Sequence, residues 1–100
     1  MRLPTGKELL ALQLLRDHGA EMYGLEIVKA SGGKIGRAGV YVTLTRLEDK
    51  GFVRSRTPAA DHHSGLPRPR YKLTALGERV VDAAEAASEV LGATLAMEAI

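Results

Sequence analysis

The stretch that decides the fold is residues 31–56, SGGKIGRAGVYVTLTRLEDKGFVRSR, in which four glycines between positions 32 and 39 precede a helical pattern. Val40, Leu44 and Leu47 recur at i, i+4 and i+7, so they share one face of a helix at about 100° per residue. This spacing predicts a helix from about Ala38 to Lys50 that packs these three side chains inward.

The opposite side of this helix is largely polar and predicts a surface for a partner. It is formed by Ala38, Val42, Thr45 and Asp49, with Tyr41 on one flank and Arg46 and Lys50 on the other. Tyr41 can donate to a DNA phosphate or pack partly on the core, and Arg46 can read a guanine edge or contact phosphate. Thr43 and Thr45 are candidates for contact with a DNA groove.

The glycines admit two interpretations, a nucleotide-phosphate loop or the turn before a DNA-reading helix. A P-loop requires serine or threonine after its lysine, but Ile35 follows Lys34, and the glycine spacing also fails the G-x-G-x-x-G dinucleotide pattern. A flexible backbone before a helix N-terminus still favours a phosphate oxygen, because the first amides of a helix are unpaired. That phosphate can belong to DNA, and Lys34 and Arg37 are candidates to contact it.

Two helices are predicted before this stretch. Thr5 and Glu8 form a capping box that begins the first helix. The second helix is predicted from Tyr23 to Ala30, and it should bury Leu25 and one of the residues at positions 27 and 28.

Two alternating segments follow, Phe52–Arg56 and Arg70–Leu73, and a proline-containing loop joins them, which predicts a β-hairpin. A period of two residues places Tyr71 and Leu73 on one face and cationic side chains on the other. The candidates for phosphate contact from this basic side are Arg54, Arg56, Arg68, Arg70 and Lys72.

A last helix is predicted from Ala75 to Ile100, about 39 Å long at 1.5 Å per residue, with Thr74 at its N-cap. Steps of four and three residues form a seam that is typical of a helix pair. The predicted dimerisation residues are Leu76, Val80, Ala83, Ala87, Val90, Leu91, Leu95 and Met97. The seam could instead be an intramolecular core stripe, but so long a helix outreaches a domain of about 75 residues, which favours a contact between subunits.

Composition and charge exclude several classes of protein. The 100 residues contain no cysteine, which rules out disulfides, thiolate zinc sites and cysteine nucleophiles. No apolar run could span a membrane and no signal-peptide pattern is present, so a cytoplasmic location is expected.

Residues 34–72 carry nine basic and three acidic side chains, whereas residues 73–100 carry one basic and five acidic side chains. This asymmetry indicates a middle region that faces a polyanion, or chance clustering on a solvated face.

His62 and His63 lie in the loop between the predicted strands and could suggest a metal site. Adjacent side chains on a loop rarely converge on one ion, and His18 is the only other histidine, so neither a metal nor a cofactor is predicted. We expect both histidines to lie near phosphates or in solvent, where their titration between about pH 5 and 8 can tune binding.

The predicted order of three helices, a two-stranded wing and a helix is that of a winged helix-turn-helix. Three spaced motifs resemble the signature of the PadR family of bacterial transcriptional regulators. They are Tyr23-Gly24-x-Glu26-Ile27, Gly39-Val40-Tyr41-x-x-Leu44-x-Arg46-Leu47-Glu48-x-x-Gly51 and Arg70-Tyr71-x-Leu73-Thr74-x-x-Gly77. The resemblance implies a homodimeric winged-helix DNA-binding protein, usually a repressor, whose C-terminal helix crosses the partner subunit.

We therefore predict a mainly α fold with a small β-hairpin, with a winged-helix DNA-binding domain at residues 1–74 and a dimerisation helix at residues 75–100. The predicted function is transcriptional regulation by a homodimer that binds duplex DNA at an imperfect palindrome. The alternative is a protein-interaction adaptor whose basic face meets an acidic partner. Catalysis is not predicted, because no nucleophile, base and orienting group can be assembled from these residues. A small-molecule effector is compatible with the pattern but is not supported by it, since the chain has one phenylalanine and no tryptophan.

Overall fold

The computed structural model describes residues 2–58 and 68–98, with side chains up to residue 93. The elements in these ranges are α1 Gly6–His18, β1 Met22–Tyr23, α2 Gly24–Ala30, α3 Arg37–Asp49, β2 Val53–Arg56, β3 Arg70–Leu73 and α4 Ala75–Glu98. The mainly helical winged fold with a small sheet is confirmed, and α3 and α4 begin within one residue of their predicted starts.

The first helix begins as the sequence predicts, and a glycine ends it. The backbone N–H of Thr5 donates to Oε1 of Glu8 over 3.0 Å, which satisfies one of the amides left unpaired at the start of α1. After the helix, Gly19 adopts φ 74°, and its N–H donates to the carbonyl of Leu15. The chain can therefore turn sharply into β1.

The sheet has three strands in the order β1-β3-β2, and not only the two that were predicted. β3 is central and runs antiparallel to both neighbours, with Met22 opposite Tyr71 on one side and Ser55 opposite Tyr71 on the other. β1 was missed because a strand of two residues is too short to show an alternating pattern. It makes Tyr23 the neighbour of Arg70.

One hydrophobic core lies between the helices and the inner face of the sheet. Its buried members are Ala11, Leu12, Leu15, Met22, Ile27, Ile35, Val40, Leu44, Leu47, Phe52, Val53, Tyr71 and Val81. Val81 shows that the first turns of α4 belong to this core. The helix approaches so closely that a Cβ at Gly77 would lie 2.1 Å from the carbonyl oxygen of Phe52. The start of α4 therefore packs with the predicted DNA-binding domain. A separate dimerisation role for α4 is a proposal that concerns the part of the helix after Val81.

The expected packing of α2 is wrong for one residue. Leu25 is 44% exposed, whereas Ile27 is fully buried. Two residues along a helix are about 200° apart around its axis, so these side chains cannot both face the core. Leu25 consequently contributes an apolar side chain to the surface beside α3.

Candidate nucleic-acid interface

The third helix presents the predicted face to solvent, except that Lys50 on its flank is only 11% exposed and pairs with Glu8. Val40, Leu44 and Leu47 are completely buried, while Tyr41 and Val42 remain 44% and 52% exposed. The side chains of Thr45 and Arg46 are exposed as well. The hydrophobic periodicity therefore predicted correctly which side of α3 is buried, and the outer side exposes both polar and apolar side chains.

Thr43 does not lie on that surface. Its exposure is 9%, because at about 100° per residue position 43 falls roughly 40° from the buried Leu47. A buried hydroxyl cannot reach a DNA groove, so the expectation of groove contact is wrong for Thr43, and Thr45 remains the threonine that faces outward.

The turn before α3 leaves the start of this helix open to an anion. Ser31 closes the turn, since its Oγ accepts from the N–H of Ile35 over 3.0 Å and donates to the carbonyl of Val28 over 2.7 Å. The N-cap of α3 is Gly36, which provides no side-chain cap, and the first turn holds no acidic residue. Lys34 and Arg37 are exposed on either side of Gly36, as expected for residues that meet a phosphate.

Tyr41 joins α3 to α2 and to the base of the wing. Its ring lies over Gly24 so closely that a Cβ there would be 2.7 Å from Cε1 of Tyr41. An open cavity of about 350 Å³ is lined by Tyr23, Gly24, Leu25, Tyr41, Arg68 and Pro69. Tyr41 is therefore partly packed and partly exposed, and it connects the outer face of α3 to the cationic residues of the wing.

The outer face of the sheet is basic, as predicted. Arg54 lies opposite Lys72 and Arg56 lies opposite Arg70, so two pairs of cations face each other across the strands. Like charges directly opposite in a sheet are destabilising. For Arg54 and Lys72 this repulsion is a cost in stability, which an external anion would reduce.

Tyr23 supports the arginines at the base of the wing, a role that sequence reasoning missed. The guanidinium carbons of Arg68 and Arg70 lie 4.8 and 5.0 Å from the centre of its ring. Nε of Arg70 also donates to the Tyr23 hydroxyl over 3.0 Å. Cation–π contacts of this kind hold a guanidinium in place without neutralising its charge. The sequence feature that could have indicated this role is the position of Tyr23 at the start of the first motif that resembles the PadR family.

Glu21 is a second residue that the sequence did not mark. Its carboxylate accepts two hydrogen bonds from Arg56, from Nε over 2.5 Å and from Nη2 over 2.6 Å. The bond from Arg56 lowers the pKa of Glu21, against the opposing effect of burial, and the positive charges of Arg70 and Lys72 lower it further. An ionised carboxylate thus lies inside the basic face.

Glu48 fixes the wing relative to α3. Oε2 of Glu48 accepts from the backbone N–H of Ser55 over 2.9 Å and from its Oγ over 2.7 Å. This carboxylate therefore binds β2 and leaves Arg46 available on the outer face of the helix. Glu48 thus joins the two candidate DNA-contacting elements by hydrogen bonds.

The seam predicted on α4 divides into two parts. Leu76 and Val80 are half-buried against the core of their own domain, and they also line an apolar groove of about 540 Å³ with Leu3, Pro4 and Leu9. Ala83 lies at the edge of this groove, and Ala87 is exposed. Val90 and Leu91 are 64% and 62% exposed, so the apolar stripe continues onto the surface.

Several expectations lie outside the described residues. His62 and His63 belong to this group, and so do the side chains of Leu95 and Met97. Within the ranges that the structure describes, no group of three or more histidine, aspartate or glutamate residues could hold a metal ion. Over the same ranges, no helix has the length and hydropathy to cross a membrane.

The fold is that of known winged-helix regulators. A PadR-like transcription factor from Bacteroides fragilis is 26% identical, with 89% of this chain and 87% of that chain aligned at a TM-score of 0.72. A PadR family transcription regulator from Clostridium difficile R20291 is 22% identical, with coverage of 93% and 97% and a TM-score of 0.73.

A mutant of Staphylococcus aureus MepR bound to an oligodeoxyribonucleotide aligns with a TM-score of 0.76 at 23% identity and 93% coverage of this chain. The chain spans 64% of that MepR chain and 63% of BpsR from Bordetella bronchiseptica, another similar fold. A comparison with curated proteins finds no match for the sequence.

The sequence itself matches a family model. The model is described as the transcriptional regulator PadR-like family, and it aligns with residues 11–83, from α1 through the wing to the buried start of α4. The matched segment includes every element that positions the candidate interface. The chain therefore belongs to the PadR-like family of transcriptional regulators.

Proposed function

We propose that this regulator binds duplex DNA in a sequence-specific manner as a homodimer, and that it represses transcription by occupying an operator. The observation that carries the proposal is the pairing of Arg54 with Lys72 across the outer face of the wing. Cations opposite each other weaken a sheet, and a polyanion that lies across them would reverse that effect.

The exposed face of α3 supports direct reading of bases. A major groove admits one α-helix, and arginine binds the O6 and N7 atoms of guanine with two hydrogen bonds. Arg46 is exposed on α3, and so are Thr45 and Val42. We propose that α3 enters the major groove while the wing lies along phosphates.

The open start of α3 supplies a further phosphate contact in this arrangement. Gly36 leaves the first amides without a side-chain cap, and Lys34 and Arg37 flank them. Amides at a helix N-terminus and nearby cations favour an anion together. This contact would set the depth and orientation of α3 in the groove.

The uncovered apolar stripe of α4 supports a dimer. Val90 and Leu91 are more than 60% exposed, and the groove beside Leu76 and Val80 is lined almost entirely by apolar side chains. A contiguous exposed apolar surface of this kind marks a contact with another protein. We propose that α4 of a second copy covers it, and that the operator is an imperfect palindrome with half-sites about 34 Å apart.

Repression is the mode of regulation that the family resemblance implies. The alternative function, an adaptor that binds an acidic protein through the same basic face, makes a different prediction about sequence preference. Both interactions would weaken with salt, but only a DNA reader should prefer one duplex sequence over another.

The test is a salt titration of binding to a fluorescent duplex and, in parallel, to polyglutamate. For the duplex, log K falls as log salt rises, and Arg54→Ala and Lys72→Ala should each make this slope shallower by about 0.9. Lys7→Ala, which removes the same charge from an exposed site on α1, should leave the slope unchanged. Unchanged slopes for both wing variants, or tighter binding to polyglutamate without preference among duplexes, would overturn the proposal.

A further inference from the structure

Glu21 occupies the Nε–Nη2 edge of Arg56, one of the two edges through which a guanidinium can bind a phosphate. Its two carboxylate oxygens accept from Nε and Nη2 of Arg56 over 2.5 and 2.6 Å. A guanidinium binds phosphate through the same pair of parallel hydrogen bonds. A DNA phosphate and the Glu21 carboxylate would therefore compete for one donor edge.

The surroundings of this ion pair favour an anion. A surface depression of about 390 Å³ is lined by Glu21, Arg54, Ser55, Arg56 and Lys72. The Glu21 side chain is 22% exposed and Arg56 is 57% exposed, so the carboxylate lies in the depression and the guanidinium covers it. Because the neighbouring cations lower the pKa of Glu21, the carboxylate stays ionised at neutral pH.

We propose that Glu21 is an intramolecular competitor of DNA phosphate for Arg56, and that it lowers the affinity of the wing for DNA of any sequence. The inference rests on the proposed function, since it requires that the wing meets DNA. Affinity for the DNA backbone follows the number of phosphates that the protein neutralises. An arginine that is bound to a carboxylate of its own chain has its charge compensated, so it neutralises no DNA phosphate.

The position of Glu21 in the chain suits this role. It precedes β1 directly, and β1 pairs with β3, so the carboxylate is held at the sheet by the backbone. A competitor attached to the same domain is present at constant effective concentration, independent of salt and of other anions. Glu21 would thus lower the affinity of the wing for the DNA backbone under all conditions in which the domain is folded.

The test compares wild type, Glu21→Gln, Glu21→Gln/Arg56→Ala and Asp17→Asn on a random-sequence duplex. Glu21→Gln keeps the shape of the side chain and removes its charge. It should make the negative slope of log K against log salt steeper by about 0.9, and it should lower the Kd for the duplex about eightfold at about 0.1 M salt. The double variant should return to the wild-type slope, because the released guanidinium is gone. Asp17→Asn, which removes an equal charge from an exposed site on α1, should leave the slope at the wild-type value.

Each other outcome has a definite meaning. An unchanged salt dependence for Glu21→Gln would show that Glu21 does not withhold Arg56 from DNA, and weaker binding would show that the carboxylate orients Arg56 for DNA; either result overturns the competitor role. A gain that persists in the double variant, or that Asp17→Asn reproduces, would show that Arg56 is not the group released, and this also overturns it. If wild type itself fails to bind the duplex, the proposed function fails first, and the competitor role fails with it.

Discussion

Nζ of Lys50 lies 2.6 Å from Oε1 of Glu8, and the two side chains are only 11% and 5% exposed. Nζ also donates to the carbonyl of Leu3 over 3.1 Å. The pair joins the first turn of α1 to the residue that follows α3, so it fixes the end of the helix that we assign to the DNA groove. Removing one member of such a pair leaves the other buried without its opposite charge.

Lys50→Ala should therefore destabilise the domain by about 3–5 kcal/mol, the range for one partner removed from a buried ion pair. Lys7→Ala removes the same charge from an exposed position on α1 and should change the free energy of unfolding by less than about 0.5 kcal/mol. Urea unfolding of the two variants measures both values. Equal losses would show that the Glu8–Lys50 pair contributes nothing specific.

Stability should depend on pH through Glu8. Burial raises the pKa of Glu8, but the hydrogen bonds from Lys50 and the backbone of Thr5, together with the charge of Lys50, outweigh it and hold the pKa below its usual value. A carboxyl whose pKa is lowered by folding stabilises the fold fully above its unfolded pKa of about 4.3, and this contribution is lost as pH falls through the folded pKa.

The measurement is the difference in the free energy of unfolding between wild type and Glu8→Gln. The difference should be largest near neutral pH and should close as the pH falls below about 4. A difference that stays constant down to about pH 3 would mean that ionised Glu8 does not stabilise the folded state.

The parts of the fold that follow from local patterns were predictable. The facing of α3 came from three apolar residues on one side, and its end came from a glycine, Gly51, which adopts φ 84°. The basic side of the wing followed from alternation, because residues opposite each other in an antiparallel pair share a face. Thr43 was misplaced because threonine is compatible with either side of a helix by residue type, whereas its angle of about 40° from Leu47 places it on the buried side.

The parts that depend on contacts between distant residues were not predictable. Glu21 and Arg56 are 35 positions apart, and Tyr23 and Arg70 are 47 apart. No periodicity connects such pairs, and β1, which brings them together, has two residues. The cation–π support and the carboxylate in the basic face therefore emerge only from the tertiary structure.

The orientation of α3 can be tested with two substitutions on opposite sides of the helix. Arg46→Ala should leave folding nearly intact and cost about 1–3 kcal/mol of binding to the preferred duplex, if Arg46 contacts a base. Leu44→Ala removes a fully buried side chain and should destabilise the domain by roughly 2–5 kcal/mol. Thermal melts and gel shifts that showed the reverse assignment would mean that the binding face is wrong.

The apolar stripe of α4 can be tested by adding a charge to it. Val90→Glu places a carboxylate on the stripe, whereas Glu85→Lys changes the charge of an exposed residue about 140° from Val90 and about 120° from Leu91 around the same helix. Val90→Glu should dissociate the dimer, because an unpaired charge would be buried between subunits, while Glu85→Lys should not. Sedimentation of both variants decides this. Wild-type protein that sediments as a monomer at micromolar concentration, or two variants that behave alike, would contradict dimerisation through this stripe.

The most direct test of sequence-specific binding by a dimer is selection of bound sequences from a random duplex library with wild-type protein. We expect enrichment of an inverted repeat whose half-sites are centred about 34 Å, one helical turn, apart. With Arg46→Ala, the same selection should relax the preference at one base pair in each half-site, and the other positions should keep theirs. Enrichment of no sequence, with salt-dependent binding to every duplex alike, would contradict the account.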